Sequence, residues 1–327
     1  MAAYKSITTL LIGLCSAVLI ACGGGGGGGG IEGRFLDSAV EGVSYVAGSR
    51  SGTTSATGGF RYNEGSRVFF SIGGIELGDG LARKDFTPLT LIGTSDLTHP
   101  TVINVARFLQ TLDDDGIPEN GIRITQAIRE LAAAETLPFS KFEQSLTDFG
   151  NDPDIEALIQ RLTGNVNSLV TSGDAEEHLR ETLEGILVGA RGSFDGSINF
   201  ITTNCDDPDF NINETFKGSI TIETVSITDG GATFTGSGRF DFSAGRNTLS
   251  IILNFTGSSN TIDFDGAINT SGVFALALNN ESLFRTAFNH TGMYDDDNIL
   301  LTVAGASDIN VGGINCSIPN TSYVFTR

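Results

Sequence analysis

Tryptophan is missing from the chain, histidine occurs three times, and acids outnumber cations, 39 Asp and Glu against 19 Lys and Arg. Each shortage removes a class of function. His99, His178 and His290 fall in three different regions, and the sequence has no HExxH, no paired CxxC and no two histidines at metal spacing, so a zinc enzyme is not expected. A formal net charge of −20 repels nucleic acid and anionic head groups. Nucleic-acid partners are therefore not expected, and cations are more natural ligands than phosphates. Without tryptophan the aromatic girdles of a transmembrane barrel are lacking. G-x-S-x-G is not found either: GSRSG at Gly48–Gly52 carries Arg50 where a nucleophilic serine would stand. GGIELGDG does not open a helix after a parallel strand, so nucleotide binding has no support. Paired carboxylates for glycoside hydrolysis depend on the fold rather than on spacing, and with 39 acids available their presence discriminates nothing.

What is present begins with an apolar run, Ile7–Ile20, shorter than the roughly 20 residues that a bilayer span needs. With Lys5 ahead of it and the small Ala21 behind it, residues 1–21 read as an export leader. Leu19-Ile20-Ala21-Cys22 resembles the lipobox of bacterial lipoproteins. The resemblance implies cleavage before Cys22, fatty acylation of that cysteine (palmitate), and anchoring in the outer membrane, since Gly23 rather than Asp follows. Residues 22–30 then form the acylated cysteine and a glycine tether. Eight residues without side chains bury nothing and span a coil of roughly 15 Å. The following Ile31-Glu32-Gly33-Arg34 runs straight into a patterned domain and reads as its first strand rather than a cloning scar.

The rest of the chain has three textures, which together predict an α+β multi-domain protein. Residues 31–95 alternate (Phe60 and Tyr62, Val68 and Phe70) between Gly, Asn and Ser turns, as in a small antiparallel β-sandwich. Residues 96–192 change to helical spacing: Val102, Val105, Ala106, Leu109 and Leu112 after Pro100, a segment from Thr125, a capping box at Ser140 and Glu143, Asp152-Pro153 with Gly164 as a stop, and a last helix from Asp174. Residues 193–327 read as strands of six to nine residues joined by short turns, an antiparallel meander closing as a barrel or a two-sheet sandwich.

Removal of the leader and acylation of Cys22 leave Cys205 and Cys316, an even pair at the two edges of the meander. An oxidising compartment would join them, and two buried free thiols are the alternative. LDDDGIPENGI is the densest group of oxygen ligands. Asp113, Asp115, Glu119 and Asn120 are candidate calcium ligands in a tight loop, although the spacing is not that of an EF-hand. A polar helix terminator with Arg123 as counter-charge reads the same residues without a metal. Asp206, Asp207 and Asp209, and Asp295, Asp296 and Asp297, fall at expected turns and read as solvated loop tips.

GRFLDSAVEGVSYVAG through FFSIGGIELG, with VINVARFLQTLDDDGIPENGIRI and AEEHLRETL, resembles a segment recurring in proteobacterial secreted proteins and lipoproteins of uncharacterised function, over residues 33–188. Its first part also looks like carboxypeptidase-regulatory and immunoglobulin-like modules. The resemblance implies location and layout, and no chemistry. The expected function is that of a lipid-anchored cell-envelope protein with a non-enzymatic binding, adhesion or structural role. A hydrolase of envelope or extracellular polymer, and a carrier of a small apolar ligand inside the barrel, are the alternatives.

Overall fold

In the computed structural model, which describes residues 30–164, 168–208, 211–228, 230–260, 266–295, 298–303, 306–311, 314–319 and 321–327, a body of sheets and helices leads into a closed barrel. The body opens with β1 (Ile31–Phe35), β2 (Val40–Glu41), β3 (Ser44–Ala47), β4 (Arg50–Thr53), β5 (Gly59–Tyr62), β6 (Arg67–Ile72), β7 (Ile75–Leu81) and β8 (Asp85–Phe86). One antiparallel sheet has the order β4-β3-β6-β7, and a second has the order β5-β1-β8. Phe60, Tyr62, Val68, Phe70 and Ile72 are buried, as their alternation predicts. Their rings meet Phe35 and Phe86, with Phe35 stacked on Phe70 at 4.6 Å and Phe60 edge-on to Phe70 at 5.3 Å.

The pairing is not purely antiparallel. β8 runs parallel to β1, and β2 pairs in parallel with β9 (Ile122–Arg123). A parallel pair needs a long crossover. Between β2 and β9 that crossover includes α1 (Pro88–Ile92) and α2 (Pro100–Thr111), so the helices are built into the sheets' topology. One hydrophobic core accordingly runs from Phe35 to Leu162, and the segments 31–95 and 96–192 share it.

α3 (Gln126–Ala132) and α5 (Pro153–Thr163) start at the caps expected of them. Thr125 Oγ1 accepts from the Ile128 N–H, Asp152 accepts from the Asp154 N–H, and Gly164 ends α5 in the left-handed region at φ 68°. The capping box at Ser140 does not start a helix. Phe139–Lys141 makes a single 3-10 turn, and α4 (Leu146–Gly150) begins five residues later at Ser145. The reason is Asn104 on α2, whose Nδ2 donates to the carbonyls of both Phe142 and Gln144 at 3.0 Å, acceptors that a helix running on from Ser140 would use itself. α2 is buried along nearly its whole length, and Arg107 beside Asn104 donates to the Val170 carbonyl (2.8 Å) and the Leu146 carbonyl (3.1 Å). The polar residues of α2 thus tie down the loops around it.

α6 (Ser172–Ala190) leads into β10 (Gly192–Ile201), β11 (Asn213–Thr228), β12 (Gly231–Ala244), β13 (Asn247–Ser259), β14 (Gly266–Leu278), β15 (Glu281–Asp295), β16 (Asn298–Val303), the hairpin β17 (Ala306–Val311) and β18 (Ile314–Ile318), and β19 (Thr321–Thr326). Eight of these close an up-and-down antiparallel barrel, β10-β11-β12-β13-β14-β15-β16-β19. The strands are longer than the six to nine residues expected: β11 to β15 have 16, 14, 13, 13 and 15.

Glycines that look like turn signals are the cause, because they lie inside strands opposite phenylalanines. Gly236 faces Phe255, Gly257 faces Phe234, Gly218 faces Phe240 and Gly196 faces Phe325. A Cβ at Gly236 or Gly257 would collide with the ring opposite. A missing side chain on one strand makes room for a ring from the next, which lets a narrow barrel hold large residues.

Candidate functional site

The acidic loop after α2 is the first candidate. Asp113 is buried, and Asp113, Asp114 and Asp115 bring carboxylate oxygens within 4.8 Å of one another. Asp113 accepts from the backbone N–H of Arg123 (2.8 Å) and of Ile117 (3.0 Å). Asp115 accepts from the Ile117 N–H (2.9 Å) and from Asn120 Nδ2 (3.0 Å). Asp114 pairs with the Arg123 guanidinium. Of the four candidate ligands, Asp113, Asp115 and Asn120 are therefore brought together, while Glu119 is exposed on a 3-10 turn outside the carboxylate group. Burial pushes the Asp113 carboxyl up, whereas the Asn120 hydrogen bond holds that of Asp115 down. A calcium ion would compete here with backbone N–H groups and a guanidinium.

A second cluster is invisible in the sequence. Asp37, in the turn after β1, and His178, on α6, lie 141 residues apart, yet both are buried against each other. Gln110 Nε2 on α2 donates to Asp37 Oδ2 at 3.1 Å. His178 Nε2 lies 3.2 Å from Ser38 Oγ, 3.3 Å from the Asp37 carbonyl and 4.0 Å from Asp37 Oδ1. Ser38 sits at φ 56°, and its N–H donates to Thr182 Oγ1 at 2.8 Å. The residue types are those of a hydrolytic triad, but the arrangement is not one. Serine and aspartate approach the same ring nitrogen, and among the described residues Nδ1, which a triad aspartate would orient, meets no partner. Burial pushes the Asp37 carboxyl up to about 6, opposed by His178 and Gln110. The cluster fixes α6 and α2 to the first strand.

In the barrel, Cys205 and Cys316 form a disulfide. It joins the β10–β11 loop to the β17–β18 hairpin, where the Thr203 and Ser317 N–H groups each donate to the other's carbonyl at 2.8 Å and Asp206 Oδ2 accepts from Asn315 Nδ2 at 2.9 Å. Asp206 thus ties the loop to the hairpin. Asp209, Asp296 and Asp297 lie outside the described residues, as does Cys22. Opposite the disulfide, Leu187 and Ala190 at the end of α6 join the barrel core.

The interior is filled by aromatic rings. Phe200 stacks on Phe274 at 5.5 Å, Phe240 meets Phe325 at 5.5 Å, and Phe194 meets Tyr294 at 6.0 Å. Over β11 to β15 the outer wall carries many Ser, Thr and Asn side chains, while Met293, Leu300 and Val324 make an exposed apolar row across β15, β16 and β19. On β11 to β15 the wall shows one pattern five times, Thr224-Val-Ser226, Thr233-Phe-Thr235, Thr256-Gly-Ser258, Asn269-Thr-Ser271 and Asn289-His-Thr291. The strand registers align these, so that Thr224, Thr235, Thr256, Ser271 and Asn289 form one row and their partners two residues along form another. Strand geometry sets the rows roughly 7 Å apart and the residues within each about 4.8 Å apart. Between them lies a trough of about 740 Å³ floored by Phe234, Gly257, Thr270 and His290. Burial pushes the His290 imidazole down to about 4, and its ring stacks on Phe288 at 4.3 Å.

The chain matches no protein-family model, no curated protein and no solved structure.

Proposed function

We propose that the chain is a lipid-anchored protein of the bacterial cell envelope, held to the outer membrane through Cys22 and a glycine tether, whose barrel serves a non-enzymatic binding role. The observation that carries the binding role is the barrel's inversion relative to a membrane barrel: rings fill the inside, hydroxyl and amide groups line the outside of β11 to β15, and among the described residues the large exposed apolar side chains of the barrel are the single row Met293, Leu300 and Val324. A membrane barrel needs an apolar band facing outward. What this barrel can offer a partner is its wall. In the order of the chain, the sheets and helices of the sandwich-like amino-terminal body follow the tether and precede the barrel. The lipobox, its spacing from Lys5 and the small Ala21 support the anchor.

The packed rings speak against the carrier alternative, and the shared Nε2 of His178 speaks against a hydrolase built on Ser38. Metabolic labelling with a clickable fatty acid tests the anchor. Wild type is expected to carry the label and to pellet with outer membranes, and Cys22→Ala is expected to do neither. Labelling that survives Cys22→Ala would overturn the assignment.

A further inference from the structure

The trough on the barrel wall has a chemistry that selects its occupant. Among its lining residues none is an acid, a lysine or an arginine, although the chain carries a formal net charge of −20. His290 on its floor stays neutral at physiological pH. The ridge side chains are hydroxyls and amides, exposed except for the half-buried Thr235, whose hydroxyl lies 2.6 Å from that of Thr224. An anionic polymer is repelled by the rest of the chain, and a cationic one finds no counter-charge in the trough. An apolar partner would cover the ridge hydroxyls and leave them without hydrogen bonds. A neutral polyhydroxylated chain does neither. Lying across the strands, it meets a donor or acceptor on each side about every 4.8 Å for roughly 19 Å, a step close to the length of one sugar ring.

We infer that this trough binds a neutral polysaccharide, with the chain seated between the row from Thr224 to Asn289 and the row from Ser226 to Thr291. The inference rests on the non-enzymatic binding role proposed above and names its partner class.

Native electrophoresis of the full chain through gels containing hydroxyethylcellulose, dextran or alginate tests it. Retardation is expected in at least one neutral polymer, equal at low and high salt, with none in alginate. Thr233→Val with Thr256→Val keeps shape and strand propensity while deleting two hydroxyls, and is expected to weaken binding roughly tenfold. Thr256→Arg, at the middle of an exposed row, fills the trough and is expected to abolish retardation. Thr215→Val, at the far end of β11, is expected to change nothing. Melting temperatures within the wild-type range show that each variant is folded. The inference is overturned if neither neutral polymer retards the protein, if both trough variants bind like wild type, or if binding is to alginate and falls with salt. Any of these with the fatty-acid label on Cys22 intact removes the trough assignment alone, and loss of that label removes the envelope reading.

Discussion

The amino-terminal body hides polar side chains that the barrel would have put outside. Asn104, Arg107, Gln110 and Asp37 are buried in the body, each bonded to a loop or a neighbouring element. The barrel sends Ser, Thr and Asn outward and fills its centre with phenylalanines set against glycines. The body's hydrophobic core is consequently crossed by directional bonds, and one of their members, Asp37, titrates. The barrel is held by the fit of rings to gaps, and by one covalent tie. The two should therefore fail in different ways.

The largest separation is expected from the tie. The disulfide closes a sequence separation of 111 residues, all of it in the barrel, and chain entropy assigns such a loop roughly 4 to 5 kcal/mol. Cys205→Ser with Cys316→Ser should lower hydrogen-exchange protection across β10 to β19 and leave β1 to β7 nearly unchanged. Equal losses in both regions would show that they unfold as one.

Next comes the ring-to-glycine fit. Gly257→Val drives a side chain into the Phe234 ring and is expected to cost about 3 kcal/mol in denaturant unfolding. Truncating the ring in the same molecule, Gly257→Val with Phe234→Ala, should cost less than the two single changes added together, because each relieves the other. Additive costs would mean that the pairing is incidental.

A titration sharpens the contrast through its sign. The folded-state pKa of Asp37 lies near 6 against 3.8 for the free group, so the protonated form is favoured in the fold. That stability is fully present below pH 3.8 and is lost as pH rises through 6. His290 goes the other way. Its folded-state pKa is near 4 against 6.5, so its contribution is present above pH 6.5 and is lost as pH falls through 4. From pH 7 to pH 5, protection factors, which remove the pH dependence of the intrinsic exchange rate, should rise in the body around Asp37 and fall in β14 and β15. Asp37→Asn should stabilise the body at pH 7 by on the order of 3 kcal/mol and remove the body's response. Responses of the same sign in both regions would contradict these two assignments.

These contrasts also explain what could be read in advance. Helix starts at Thr125 and Asp152, the stop at Gly164 and the buried alternation of β5 and β6 are local signals, set within a few residues. The meander could be read from its turn spacing, which left barrel and two-sheet sandwich both open, and the pairing of β10 with β19 decides for the barrel. Its strand lengths could not be read, because Gly236 and Gly257 look like breakers until the rings of Phe255 and Phe234 stand opposite them. Helix formation at Ser140 was lost to Asn104, some 40 residues away. The Asp37–His178 cluster and the two rows of the trough are products of pairing between distant segments, which spacing along one segment does not encode. The acidic loop, by contrast, was visible as a cluster because its residues lie within eight positions of one another.

The smallest expected effect tests whether glycine means the same thing in both regions. Gly185 lies on the exposed side of α6, and a Cβ there would meet nothing within 4 Å. In a helix such a glycine carries an entropic cost without providing room for anything, so Gly185→Ala should stabilise by about 0.5 to 1 kcal/mol. The same substitution at Gly236 places a methyl against Phe255 and should destabilise. Thermal unfolding of the two variants side by side therefore gives shifts of opposite sign if the barrel's glycines are gaps for rings and the helix's are not. A destabilised Gly185→Ala would mean that α6 needs its flexibility where it passes from the body into the barrel, and the division between the two regions would then run through that helix.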